Sequence, residues 1–279
     1  LFFSGRVTHQ DKNFVVDPVS NFPREQAFFR QMNELKKSGE ETVVIGFSLN
    51  GVAEVNSTKG RAYGDRLLKK LANALMETLS WKMFFYRTDG MRCLAIVNPL
   101  CRGESHESLV EQIREIAKTC YESMGISLQH VCSFAVMEYP CGDFSPEDLL
   151  DTMISLIRLA RQESKLSYVD YSEQNIQRVK RMSNMVLALG QDVAHNMENF
   201  RIVVQPVVSA GDGRMCGGEV LLRWTFEGQS VSPAAFIPVL EKEGLIQEVG
   251  RWVFEQAVCT CVRLHAYGPT FFLTFNVSF

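Results

Sequence analysis

Eight cysteines, at 93, 101, 120, 132, 141, 216, 259 and 261, are the residues best able by type to hold a soft metal or a disulfide. None forms a Cys-x-x-Cys pair, and the closest two are Cys259 and Cys261. Positions two apart on a helix point to different faces, so that pair is a poor metal site. Most of the others fall in apolar runs, such as Cys93-Leu-Ala-Ile-Val and Val131-Cys-Ser-Phe-Ala-Val. They read as small buried hydrophobes in a reducing compartment, not as a disulfide framework. A second feature is Asp89-Gly90, a favoured hairpin turn between the apolar runs Phe84–Thr88 and Cys93–Val97.

The elements around that hairpin follow from hydrophobic spacing. A helix from Arg24 carries Ala27, Phe28, Met32 and Leu35 on one face and stops at Ser38-Gly39. Thr42–Leu49 is β-branched and apolar, a buried strand. Leu67, Leu68, Leu71, Leu75 and Leu79 place a helix over Ala62–Leu79. Leu109–Met124 predicts a helix, His130–Met137 a strand, and Pro146–Arg161 a helix opened by Ser145-Pro146. This order suits an antiparallel-rich α+β sheet with flanking helices, not a doubly wound parallel sheet. Ser172–Asn199 predicts one long connecting helix, with a seam from Ile176 to Met197 and Gly190 as its weak point. Strands at Phe200–Gln205, Gly218–Trp224 and Phe271–Val277 then alternate with helices at Pro233–Glu243 and Val249–Leu264. These five elements begin an α/β architecture but are too few to close a barrel.

Composition sets outer bounds. The 279 residues suit two domains, with 46% apolar and 22% charged residues as in ordinary globular proteins. A net charge of −3, spread along both halves, leaves no basic footprint for a nucleic-acid polymer. No apolar run is long enough to span a bilayer. Leu1-Phe-Phe is followed at once by Ser4-Gly5-Arg6, unlike a signal peptide, and a cytoplasmic location is expected. Both ends read as cuts through a longer polypeptide.

Motifs in the second half resemble the first part of an EAL domain, a family that folds as a TIM-like α/β barrel and binds or hydrolyses cyclic di-GMP. They are Phe200-Arg-Ile-Val-Val-Gln-Pro206, Gly218-Glu-Val-Leu-Leu-Arg-Trp224, Ser232-Pro-Ala-Ala-Phe-Ile-Pro238, Glu241-Lys-Glu-Gly-Leu-Ile246 and Asn276-Val-Ser278, in family order. The first half resembles the GGDEF domain, a nucleotide-cyclase-like fold. Asp17-Pro-Val-Ser-Asn-Phe-Pro23 is similar to its opening motif. Asn56, Gly60, Gly64 and Asp65 match a second stretch, Tyr86–Ala95 takes the place of the signature hairpin, and Cys132–Pro140 resembles a later strand. The resulting division is 1–16 for the tail of an upstream module, 17–171 for a degenerate GGDEF-like domain, 172–199 for a connecting helix and 200–279 for the first part of an EAL-like domain.

The resemblance implies which residues matter. A diguanylate cyclase neutralises triphosphate with divalent metal held by carboxylates. At the positions of those carboxylates stand Ser48, Met91 and Arg92, two neutral groups and a cation, so the resemblance implies no synthesis of cyclic di-GMP. Asn56 and Asp65 match guanine contacts, although a turn cap and a first-turn helix carboxylate explain them more simply. Arg161 and Lys165 replace a distal basic pair. The inhibitory RxxD motif is absent, with Ser80 and Met83 in its place. In the EAL-like part Glu219 and Asn276 match metal ligands, and Gln205, Leu222 and Arg223 match cyclic di-GMP contacts. Mg or Mn is implied only where the EAL site is complete, and otherwise no cofactor. Cyclic di-GMP is the implied partner, with GTP and a second copy of the chain as further candidates. Three readings stay open: a regulatory cyclic di-GMP signalling protein with an inactive GGDEF-like domain, a phosphodiesterase seen as a fragment, and a nucleotide-free scaffold.

Overall fold

The computed structural model describes residues 15–101, 103–140, 144–162, 168–266, 268 and 270–276. Lys165 and the expected strand Leu1–Val7 lie outside the described residues. The chain divides into two compact units, Leu1–Val179 and Lys180–Phe279.

The first unit contains α1 (Glu25–Ser38), β1 (Thr42–Leu49), α2 (Val52–Lys59), α3 (Arg61–Leu79), β2 (Met83–Arg87), β3 (Arg92–Val97), α4 (His106–Ser123), β4 (Cys132–Tyr139), α5 (Pro146–Gln162) and β5 (Val169–Asp170). Its sheet runs β2-β3-β1-β4-β5 and is antiparallel except for the β4–β5 pair. β1 is buried at every position because helices cover both faces of the sheet. Ile45 and Phe47 pack with Leu67, Leu71 and Leu75 of α3 and Ile113 of α4. Val44 and Leu94 pack on the other face with Phe28 of α1 and Leu156 of α5. At Gly46 on that face, a Cβ would lie 2.8 Å from Ile157 Cδ1, so α5 comes closer to the strand than a larger residue permits.

The long amphipathic segment expected over Ala62–Leu79 is observed as α3. The preceding α2 was not expected, because its eight residues Val52–Lys59 carry little apolar periodicity and bury only Val52. Ser145 caps α5 by accepting the amide N–H of Asp148 at 3.0 Å.

The second unit takes up helix α6 (Glu173–Ala194) from Lys180 onward and adds β6 (Phe200–Val208), β7 (Met215–Phe226), β8 (Gln229–Val231), α7 (Pro233–Lys242), α8 (Ile246–His265) and β9 (Phe272–Phe275). β6 and β8 flank β7 as antiparallel partners, whereas β9 joins it in parallel. Trp224 is fully buried among Phe200, Phe226 and Phe236. Its indole N–H donates to Asp192 Oδ2 at 2.6 Å. α6 passes through Gly190 without interruption but ends before the expected Asn199, since Asn196 and Met197 adopt φ of 61° and 60°. Asp192, which also accepts from Asn199 Nδ2 at 2.6 Å, fastens this reversal.

One ionic cluster ties the start of the first unit to its hairpin. Asp17 is buried and accepts the amide N–H of Val19 at 3.2 Å, the N–H and hydroxyl of Ser20 at 2.9 Å each, and Arg24 Nη2 at 3.0 Å. Arg87 Nε lies 4.0 Å from its second oxygen. Burial opposes the charged carboxylate, but the hydrogen bonds from Ser20, the positive charge of Arg87 and the bond from Val19 outweigh it and hold the pKa below the ordinary value. A depressed folded-state pKa contributes stability above the unfolded value of about 3.9, and that contribution is lost as pH falls through the folded value. Asp17→Asn is expected to lower unfolding free energy at pH 7 by about 2–4 kcal/mol. In urea titrations between pH 7 and pH 3, the gap between wild type and variant narrows on the acid side. A gap that stays constant with pH contradicts this role.

Candidate functional site

The hairpin β2–β3 ends at the turn Thr88–Met91, where Arg92 N–H donates to Asp89 O at 3.3 Å. Arg87, the last residue of β2, folds its guanidinium over this turn. Nη1 donates to the Arg92 carbonyl at 2.6 Å and Nη2 to the Gly90 carbonyl. Among the described residues its Nε makes no hydrogen bond, and Asp17 Oδ2 lies 4.0 Å from it. One buried arginine therefore holds the backbone of the turn, and Asp17 offsets its charge.

Ser48 and Arg92 are direct partners across β1 and β3. Leu49 N–H donates to Met91 O at 3.0 Å, which fixes Met91 beside the end of β1. The structure thus brings the three positions singled out by sequence to one end of the sheet: Ser48 and Arg92 are paired on one face, and Met91 packs toward the other. Arg92 Nη2 pairs with Asp89 Oδ1, and its buried Nε has no hydrogen-bond partner. Asp89 is the acidic group of this turn, and its charge is taken up by Arg92. Among the described residues, no group of three or more His, Cys, Asp or Glu side chains is arranged to hold a metal ion.

Asn56 and Asp65 come together at the α2–α3 junction. Asn56 Oδ1 accepts the Gly64 N–H at 3.2 Å. A Cβ at Gly64 would sit 2.4 Å from that oxygen and 2.9 Å from Val52 Cγ1, so the glycine is what lets the two helices meet. The carbonyl of Asn56 is therefore used to fasten a turn. Asp65 is half-buried on the second turn of α3, not on the first. Arg161 lines a cleft of about 350 Å³ with Asn50, Arg114, Lys118, His130 and Ser133.

In the second unit the register of β6 and β7 orders the other candidates. Gln205 pairs with Glu219, Val203 with Leu221 and Arg201 with Arg223, while Glu219 pairs with Thr274 of β9. Side chains alternate along strands, so Gln205, Glu219, Leu221 and Arg223 share one face. The other face, with Ile202, Val204, Val220, Leu222 and Trp224, packs into the core. Asn276 follows β9 and donates from Nδ2 to Glu219 Oε1 at 3.0 Å. Four of the five residues named from sequence are thus gathered on one face, and Arg223 Nη1 donates to its neighbour Leu222 O at 2.9 Å.

Leu222 is the exception. It packs against the core, and the leucine sharing the face of Glu219 and Arg223 is Leu221. The two-residue period of the strand was the signal that separates them.

The diguanylate cyclase GGDEF domain model matches residues 15–165, more than half of the chain, and the EAL domain model matches residues 188–278. The bifunctional diguanylate cyclase/cyclic di-GMP phosphodiesterase MucR of Pseudomonas aeruginosa is 26% identical over 227 residues, 79% of this chain and 32% of that protein. The signaling protein YkoW of Bacillus subtilis is 28% identical over 242 residues, 85% of this chain and 30% of that protein. The chain therefore spans about a third of the length of these curated relatives. In fold it is similar to the S helix-GGDEF-EAL part of Vibrio cholerae LapD bound to c-di-GMP, with a TM-score of 0.58 at 16% identity, covering 94% of this chain and 61% of that one. The chain belongs to the GGDEF family, and its first unit is followed by residues of an EAL domain in the tandem architecture of bacterial cyclic di-GMP signalling proteins.

Proposed function

We propose that this chain reads cyclic di-GMP and does not make it: the GGDEF domain is regulatory, and the EAL residues bind the nucleotide. The observation that carries the first half is the pairing of Arg92 with Ser48. Two unit charges 4 Å apart interact by about 4 kcal/mol at a near-surface dielectric, and a divalent ion doubles that opposition. Ser48 and Met91 offer no carboxylate, and Asp89, the acidic group of the turn, is already engaged by Arg92 and so is not free to hold a metal. Asn56 spends its carbonyl on Gly64, which leaves GTP a weaker candidate ligand than cyclic di-GMP.

The second half is supported by the shared face of Gln205, Glu219, Leu221 and Arg223. A guanidinium can donate two parallel hydrogen bonds to a phosphodiester, and Gln205 can meet a base or sugar edge. Glu219 and Asn276 fit Mg or Mn by donor type, since both offer hard oxygen. Such a metal would polarise a phosphate oxygen, and the two side chains supply only part of its usual shell of about six oxygens. Binding is therefore the function these residues support best. A phosphodiesterase remains the second reading, favoured by the contact between Glu219 and Asn276. A cytoplasmic location and pairing with a second copy belong to the same proposal. Among the described residues, no helix is long and apolar enough to cross a membrane.

Two experiments check this. Ser48→Asp is expected to give no cyclic di-GMP from GTP with Mg or Mn, because Arg92 still faces the new carboxylate. Product in a chromatographic assay contradicts the reading of the hairpin. Arg223→Ala is expected to weaken cyclic di-GMP binding by about 1.5–3 kcal/mol, measured by calorimetry. An unchanged dissociation constant removes Arg223 from the site.

A further inference from the structure

The face that carries Gln205, Glu219 and Arg223 carries one more cation. Arg201 is the direct partner of Arg223 across β6 and β7. Its neighbours Phe200 and Ile202 pack into the core, so alternation turns Arg201 to the same side as Gln205, two pairs further along. Directly opposed residues in an antiparallel pair have Cβ atoms about 5 Å apart, where like charges destabilise the sheet. Arg201 is exposed, and its side chain makes no hydrogen bond or ion pair among the described residues. The carboxylate in register on this face is Glu219, four residues from Arg223, or about 13 Å along an extended strand. It is also engaged by Asn276. Two arginines are therefore paired in register at one end of the face, and among the described residues no carboxylate of these strands stands between them.

An anion with two or more oxygens is the chemical group that turns this repulsion into attraction. Each guanidinium presents a planar fork of donors, and two forks from adjacent strands can grip different oxygens of one phosphate. We infer that Arg201 is a second phosphate-binding residue of this chain, forming with Arg223 a two-guanidinium cradle for one phosphodiester of the bound cyclic dinucleotide. The inference rests on the reading of this face as a cyclic di-GMP site and adds to it a residue 22 positions away in sequence from Arg223.

The test uses the 279-residue chain with cyclic di-GMP as titrant, comparing wild type, Arg201→Ala, Arg201→Lys, Arg223→Ala and the double alanine variant at low and moderate salt. Arg201→Ala is expected to weaken binding five- to tenfold, and Arg201→Lys less. The double variant is expected to lose less than the product of the single losses, because the two residues share one phosphate. Without nucleotide, Arg201→Ala unfolds at the same temperature as wild type or a higher one, since it relieves a like-charge pair. A residue of purely structural value would instead lower that midpoint. If wild type binds, Arg223→Ala binds weakly and Arg201→Ala binds as wild type does, the cradle is overturned while the site stands. If wild type binds no cyclic di-GMP, the site and the cradle fall together.

Discussion

The grip of Arg87 on the hairpin turn fixes the backbone on which the first unit's candidate residues stand. This guanidinium holds the carbonyls of Gly90 and Arg92, and the buried carboxylate of Asp17 offsets its charge. The turn is therefore fixed by its own chain and needs no bound ion for its shape. With the backbone fixed, Met91 and Arg92 are delivered to the end of β1, beside Ser48. A GGDEF fold thus keeps its hairpin and carries Arg92 there, which under the proposed reading stands where metal-dependent phosphoryl chemistry needs carboxylates. The scaffold and the reaction are separable because the scaffold depends on Arg87, Asp17 and the two apolar faces, none of which has to touch a nucleotide.

The second unit shows a different economy. Its core is built from one face of β6 and β7, with Trp224 at the centre and Asp192 anchoring the indole. That packing leaves the opposite face free to carry polar groups, and antiparallel register sets them in rows. Gln205 stands across from Glu219 and Arg201 across from Arg223, while β9 brings Asn276 to within hydrogen-bonding distance of Glu219. The polar face has its geometry because the apolar face cannot slip: a shift of one residue would send Arg223 into the core and Trp224 into water.

Much of this is legible in the sequence. β1 is readable because a strand covered on both sides is apolar at every position, and α3 because its leucines recur at three- and four-residue steps. Ser48, Met91 and Arg92, standing where the resemblance leads one to expect carboxylates, are visible as residue types. Other features were hidden for physical reasons. α2 buries a single valine and so leaves no periodic trace. The end of α6 depends on Asp192 receiving bonds from Trp224 and Asn199, contacts that no local pattern announces. Motif position alone does not separate Leu221 from Leu222; strand parity does, and it puts Leu222 against the core. Arg201 looked like an ordinary strand residue until register placed it opposite Arg223.

The central claim is that a guanidinium and a thioether at the hairpin deny divalent metal to any bound GTP. It is tested most directly by incubating the unaltered chain with GTP and either Mg or Mn and separating the nucleotides by chromatography. The account predicts that GTP is recovered and no cyclic di-GMP forms with either metal. Accumulation of cyclic di-GMP in proportion to protein concentration would contradict it.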